Sequence, residues 1–339
     1  MLQRPAIHTA VIGGGGVTDD VLAAGVIGVG SMGQHHARVY SELPDTTLVG
    51  VTDADDDSAS RIADEYGVEP MNRSALLNRA DVVSIAVPTP YHAETTREAI
   101  EHGVDVLVEK PFVDDRELGH DLAEEAREAG VALQVGHIER FNPAVAVLAD
   151  IVPDLDIVSI DIDRLGPPLD RDNEDNVVMD LMIHDVDILL SLVDESIESL
   201  SAVARDDQHA TSQFEFENGT VATVTASRLT QEKVRKLSIT AESCRVNVDF
   251  ISQTVEIHRR SLPEFVESDG DIRYRHESVV ERPMVENGEP LKAQLSAFAG
   301  AVTNGTEPTV TAADALNVLE IIERIESLAF TPATEVTSA

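Results

Sequence analysis

Tryptophan is absent from this 339-residue sequence, cysteine occurs once, at Cys244, and only four of the 25 basic residues are lysines. A lone cysteine excludes an intramolecular disulfide framework and fits a reducing compartment. No apolar run is long enough to span a bilayer. The first residues show no basic region followed by an apolar region and a cleavage site, so a cytoplasmic protein is expected. Positive charge is scarce as well, with 25 Lys and Arg against 62 Asp and Glu and a net charge of −37. A polyanion of this kind is repelled by nucleic acid and by anionic membranes, and neither is expected as a partner. The acids are spread along the whole length, with one short cluster at Asp53 and Asp55–Asp57. Dispersed acid with scarce lysine points to a salt-rich cytoplasm, where screening removes the self-repulsion. Such a fold should loosen at low ionic strength.

What is present fits two domains, and a hydrophobic content of 42% is enough for real cores. From 24 to 136, short valine-rich runs (Ala24–Gly28, Leu48–Asp53, Val82–Val87, Val104–Val108, Val131–Val135) alternate with amphipathic stretches such as Thr95–His102 and Glu117–Ala129. Continuous apolar strands between helices predict a parallel sheet covered on both faces, a doubly wound α/β domain over 24–143. After Pro143 the grammar changes to an α+β domain over 144–339, with an open antiparallel sheet. Its signals are the alternating run Ile157–Ile162, the Asn218-Gly219 turn between Phe214–Glu217 and Thr220–Ser227, and closing helices over 291–304 and 311–328. Residues 1–23, including Gly13–Gly16, fit neither pattern and read as a disordered extension.

Gly28-Val29-Gly30-Ser31-Met32-Gly33 satisfies G-x-G-x-x-G, follows a strand, precedes a helix, and has Asp53 twenty residues after Gly33 at the next strand end. That context supplies a tight turn, close approach to a pyrophosphate and a carboxylate for an adenosine ribose. Asp53 would accept from a 2′-hydroxyl and repel a 2′-phosphate, which predicts NAD rather than NADP.

Lys110, the only lysine in the first 232 residues, stands between Glu109 and Pro111 at the carboxyl end of the strand 104–108. Doubly wound sheets hold ligands at that edge. A lysine can share a proton where an always-charged guanidinium cannot. On the apolar helix around 178–193, Asp180, His184 and Asp187 form one polar stripe, which either lines a site or faces water. No H-E-x-x-H or cysteine cluster completes a metal shell, and no metal is expected.

Together these residues resemble the Gfo/Idh/MocA oxidoreductase family. The likeness covers residue 24 to about 328 and includes Gly28–Gly33, Val87-Pro88-Thr89-Pro90-Tyr91-His92, Glu109-Lys110-Pro111, Asp180–Asp185 and Glu289–Leu295. The resemblance implies an NAD-binding Rossmann domain and a second domain with an open antiparallel sheet, often used to form a homodimer or homotetramer. It implies Lys110 and His184 at the reacting hydroxyl, with Asp180 beside them as the third catalytic residue. It implies Gly28, Gly30, Ser31, Met32, Gly33, Asp53, Pro88, Thr89, His92 and Glu109 around the cofactor. The stretch Gly136–Pro143, with Arg164-Leu165-Gly166-Pro167, is similar to nucleotide-sugar members that oxidise the 3-hydroxyl of UDP-N-acetylglucosamine. Asn176-Val177 departs from the glycine common before the helix. Substrate contacts are expected from Arg140, Asn142, Arg164 and His184, with the two arginines as diphosphate ligands and Arg171 more weakly so. Either His184 or Lys110 can be the base. An inositol or free-sugar dehydrogenase is the alternative within the family, and a non-catalytic sugar or dinucleotide sensor the alternative outside catalysis.

Overall fold

A computed structural model describes residues 21–168, 175–260, 264–268, 271–275 and 278–330. Most of the expected amino-terminal extension, with Gly13–Gly16, lies outside the described residues, as does Arg171. The first domain builds a sheet from β1 (Leu22–Ile27), β2 (Thr46–Thr52), β3 (Glu69–Pro70), β4 (Val82–Ile85), β5 (Asp105–Glu109) and β6 (Leu133–Gly136). Their spatial order is β3-β2-β1-β4-β5-β6 with every neighbour parallel. Val26, Val83, Val106 and Val135 are fully buried, which is why these strands read as unbroken apolar runs. The connecting helices are α1 (Gly33–Glu42), α2 (Asp56–Tyr66), α3 (Arg73–Leu77), α4 (His92–Glu101) and α5 (Arg116–Ala129). The last begins with the Asp115 side chain accepting from the Glu117 N–H and ends at Gly130 in the left-handed region. Strand order reverses between β1 and β4, the point where sheets of this kind leave a ligand crevice.

The second domain opens with α6 (Pro143–Ile151) and β7 (Ile157–Leu165), then a π-helical turn, Val178–Met182, that runs into α7 (Ile183–Leu192). There follow β8 (Ile197–Arg205), β9 (His209–Phe216), β10 (Val221–Ser227), β11 (Val234–Ala241), β12 (Cys244–Asp249) and β13 (Thr254–Arg260). A separate pair, β14 (Glu264–Ser268) and β15 (Asp271–Arg275), precedes β16 (Ser278–Glu281). The large sheet has the order β16-β13-β12-β11-β7-β10-β9-β8. Gly219 takes a positive φ in the β9–β10 hairpin, as its Asn-Gly turn predicted. One pairing departs from the antiparallel expectation: β10 runs parallel to β7, from Val221↔Ser159 to Ser227↔Leu165. Parallel neighbours need a long crossover. Here α7 and the strands β8 and β9 supply it, and alternation within a strand carries no sign of direction.

The chain closes with α8 (Pro290–Asn304) and α9 (Ala312–Phe330). Sequence placed both in the second domain, yet both pack on the first. Leu291, Leu295 and Phe298 of α8 join Ala24, Val26 and Tyr40 in one buried cluster. Each fully buried side chain of this size contributes roughly 1.5–3 kcal/mol. On α9, Leu316 and Leu319 pack with the first domain while Val318, Ile321, Ile322 and Ile325 pack with the second. The helix is apolar around most of its circumference because it is shared by two cores.

Candidate active site

The glycine loop is shaped by close backbone approach. Gly28 has φ +86°, and a Cβ there would lie 2.7 Å from the Ala86 carbonyl oxygen. A Cβ on Gly33 would lie 1.7 Å from the Gly28 oxygen, whereas one on Gly30 would meet nothing within 4 Å. The outer glycines therefore hold the turn against β4 and α1, and Gly30 faces open space where a pyrophosphate fits. Asp53 follows β2 and accepts the Val29 N–H at 2.6 Å and the Asp55 N–H at 2.9 Å, which sets its carboxylate beside the loop. These features fit a dinucleotide.

The loop opens onto a cavity of about 1320 Å3 that runs from Gly28, Gly30, Ser31, Met32 and Asp53, past Pro88, Thr89, His92 and Glu109, to Lys110, Asp180 and His184. That exceeds the roughly 300–1,000 Å3 of a pocket for one small molecule. The His92 ring bridges the carbonyls of Val87 and Pro111 at 2.8 Å each and so ties the cavity wall to the turn after β5. Glu109 is buried beneath it, with its Oε1 2.9 Å from His36 Nε2, while His36 Nδ1 contacts Ser84 Oγ and Ser84 contacts the Tyr40 hydroxyl. Burial pushes Glu109 up, but the His36 ring and Lys110 outweigh it and hold the carboxyl below its usual range.

Lys110 leaves β5 through a cis peptide to Pro111. Its Nζ donates to the Asp180 carbonyl at 3.0 Å and lies 3.6 Å from Asp180 Oδ1. Arg228 Nη2 donates to the other carboxylate oxygen of Asp180 at 2.6 Å, so two cations hold this acid. The apolar helix expected around 178–193 begins with the π turn that carries Asp180, an irregularity often found at functional sites. His184, one α turn further along, completes the group. Burial, and then the positive charges of Lys110 and Arg164, drive its imidazole well below the ordinary histidine range, and its buried Nδ1 has no partner among the described residues. The neutral form of the ring is therefore favoured.

The polar stripe of this helix does not face water. Asp187 is fully buried and accepts from Arg140 Nε at 2.9 Å, with His137 Nδ1 3.8 Å away on its other oxygen. Asp185, also buried, takes Arg164 Nε and Nη2 at 2.8 Å each, and Glu139 takes Arg164 Nη1 at 2.9 Å. The two arginines expected to bind a diphosphate are thus committed to carboxylates of the chain itself. Asn142 borders the cavity, but its side chain caps α6 through the Ala144 N–H and donates to the Phe250 carbonyl. Sequence reasoning missed Arg228, which reaches Asp180 from 48 residues away, and the cavity-lining pair Lys233 and Arg235. Only the scarcity of lysine could have marked Lys233. Among the described residues, no group of three or more His, Cys, Asp or Glu is placed to hold a metal, and no helix is long and apolar enough to cross a membrane.

A dinucleotide cradle opening onto a lysine, an acid and a neutral histidine defines an NAD-dependent oxidoreductase. Residues 22–137 match the oxidoreductase family GFO/IDH/MocA, described as an NAD-binding Rossmann fold, and residues 158–247 match the family's C-terminal domain. The chain is 35% identical over 248 residues to UDP-N-acetylglucosamine 3-dehydrogenase of Acidithiobacillus ferrooxidans, covering 70% of this chain and 77% of that one. It is 28% identical over 329 residues to scyllo-inositol 2-dehydrogenase (NAD(+)) of Bacillus subtilis, covering 87% and 90%. The solved structure of the Acidithiobacillus enzyme superposes with a TM-score of 0.82 at 30% identity, covering 91% of this chain and 97% of that one. Levoglucosan dehydrogenase, solved in complex with NADH and levoglucosan, shares the fold at a TM-score of 0.77 and 20% identity, with 91% and 97% covered. The chain belongs to the Gfo/Idh/MocA oxidoreductase family.

Proposed function

We propose that the protein oxidises a secondary hydroxyl of a sugar, with the 3-hydroxyl of UDP-N-acetylglucosamine as its preferred target. The observation that carries this reading is the convergence of Lys110, Asp180 and His184 on the cavity that the glycine loop also lines. NAD, when bound, supplies the hydride acceptor. His184 takes the hydroxyl proton on a ring that burial and adjacent cations hold in its neutral form before the reaction. The Lys110 ammonium stabilises the negative charge that grows on the substrate oxygen as the proton leaves. Asp180, held by Lys110 and Arg228, fixes the ammonium in place.

The choice of nucleotide sugar over a free polyol rests on the 35% identity to the Acidithiobacillus dehydrogenase. The Bacillus inositol dehydrogenase, matched over more of the chain at lower identity, supports the polyol alternative. Absorbance of NADH, followed in high salt with UDP-N-acetylglucosamine, inositols and aldoses, separates them. Turnover is expected to be greatest with UDP-N-acetylglucosamine; faster oxidation of scyllo-inositol would replace that substrate assignment with the polyol one.

A further inference from the structure

Of the four lysines in the chain, two line the same cavity, Lys110 at the reacting end and Lys233 beyond it. Arg235 lies on the same wall, two residues along the start of β11. Its position is unusual for an arginine, because the β11–β7 register sets it directly opposite Arg164. Like charges facing each other across strands destabilise a sheet unless something compensates. For Arg164 the compensation is built in, with Asp185 and Glu139 taking its three donating nitrogens. Arg235 has no such partner. Its Nη1 donates to the carbonyls of Leu165 and Val234, and among the described residues neither its Nε nor its Nη2 makes a hydrogen bond or ion pair. Burial, and then the charge of Arg164, lower its affinity for its own proton by more than the nearby charges of Asp185, Glu139 and Asp180 raise it. Lys233, exposed at the cavity edge, likewise has no ion pair among the described residues. In a chain with 62 acids, two cations on one wall with no hydrogen bond or ion pair to a carboxylate among the described residues need an explanation.

We propose that Arg235 and Lys233 bind the diphosphate of a nucleoside-diphosphate sugar, and that this pair, rather than Arg140 and Arg164, selects a nucleotide sugar over a neutral polyol. The inference rests on the nucleotide-sugar reading above and names the residues that enforce it. A forked guanidinium with two open donors suits phosphate oxygens, and the flexible ammonium adds a second positive charge beside it. The diphosphate meets cations that need an anion, while the sugar ring reaches Lys110 and His184 in the same cavity. Arg164 and Arg140 set the floor and orient the helix bearing His184, with their charge already matched.

The test uses Lys233→Gln and Arg235→Gln, with Arg235→Lys as the conservative control. UDP is the probe, titrated calorimetrically into the NADH complex, and KM for UDP-N-acetylglucosamine is measured in parallel. Each Gln variant is expected to weaken UDP binding and raise that KM by about tenfold to a hundredfold, the range of one charge-assisted hydrogen bond. NADH affinity should stay unchanged, and Arg235→Lys should restore part of the loss. Lys233→Gln keeps the test decisive if Arg235→Gln disturbs the β7–β11 pairing, since the Lys233 side chain is exposed and makes no ion pair among the described residues. Wild-type levels of UDP binding and KM in Lys233→Gln would overturn the assignment while leaving nucleotide-sugar oxidation in place. Failure of the wild-type NADH complex to bind UDP would overturn it as well. Tight, Lys233-dependent UDP binding without turnover of any UDP sugar would instead uphold the diphosphate site and remove the proposed reaction.

Discussion

The two ends of the cavity are built on different principles. The dinucleotide end is made mostly of backbone: Gly28, Gly30 and Gly33 shape it, and the Asp53 carboxylate beside them is fixed by two backbone N–H groups of nearby loops. The substrate end is made of charge. There Lys110, Asp180 and Arg228 form one chain of ion pairs, and Arg140–Asp187 and Glu139–Arg164–Asp185 form others beneath it. A backbone cradle accepts one ligand shape and tolerates change at its margins. A buried charge network depends on every partner, because removing one leaves another uncompensated in a low-dielectric setting. Loss of a side chain should therefore matter more at the second end than at the first.

The sharpest break in that contrast is His184→Gln. It removes the proposed proton acceptor, and kcat should fall by about 10²–10⁴-fold while NADH affinity, read by fluorescence titration, stays as in the wild type. Next in size is Arg164→Met, which strands Asp185 and Glu139. Denaturant unfolding should show a loss of about 3–5 kcal/mol, and a loss under about 1 kcal/mol would mean that the network is not the stabilising unit described. At the dinucleotide end, Asp53→Ser should raise KM for NAD by only about tenfold and narrow the preference over NADP, since it removes hydrogen bonds rather than a buried charge partner.

The smallest effect is on pH dependence. Burial lowers both His137 and His184, with the charge of Asp187 opposing it at His137 and the nearby cations adding to it at His184. Both rings are neutral in the folded chain, whereas each unfolded ring takes up a proton near pH 6.5. The unfolded state therefore binds more protons as pH falls. Stability from these two rings is complete above that pH and is lost progressively as pH drops towards their depressed folded values. Thermal melts between about pH 8 and about pH 5 should show the decline, and it should be shallower in His184→Gln. The acid limb of kcat/KM should likewise lie below the ordinary histidine range.

The same contrast explains what was legible in the sequence. Gly28–Gly33, Asp53 and the Lys110–Pro111 strand end could be read because each is constrained by backbone within a short stretch. His184 and Asp180 were found as residues, but the π turn that presents Asp180 was not, since apolar periodicity does not distinguish it from an α turn. Arg140 and Arg164 were read as diphosphate ligands because their carboxylates come from α7 or Glu139, 47 residues away for Arg140 and 21 and 25 for Arg164. Arg228 and the parallel β7–β10 pairing carry no local signal, and both arise only when distant strands meet. The packing of α8 and α9 on the first domain was hidden for a related reason, as an apolar helix does not announce which core it will join.

The most direct test compares NADH formation from UDP-N-acetylglucosamine by the wild type and by Lys110→Ala, at saturating NAD and high salt. The wild type should form NADH only when the sugar is present, and Lys110→Ala should lose about 10²–10³-fold or more in kcat while still binding NADH. Substrate-dependent NADH formation at the wild-type rate in Lys110→Ala would contradict the account.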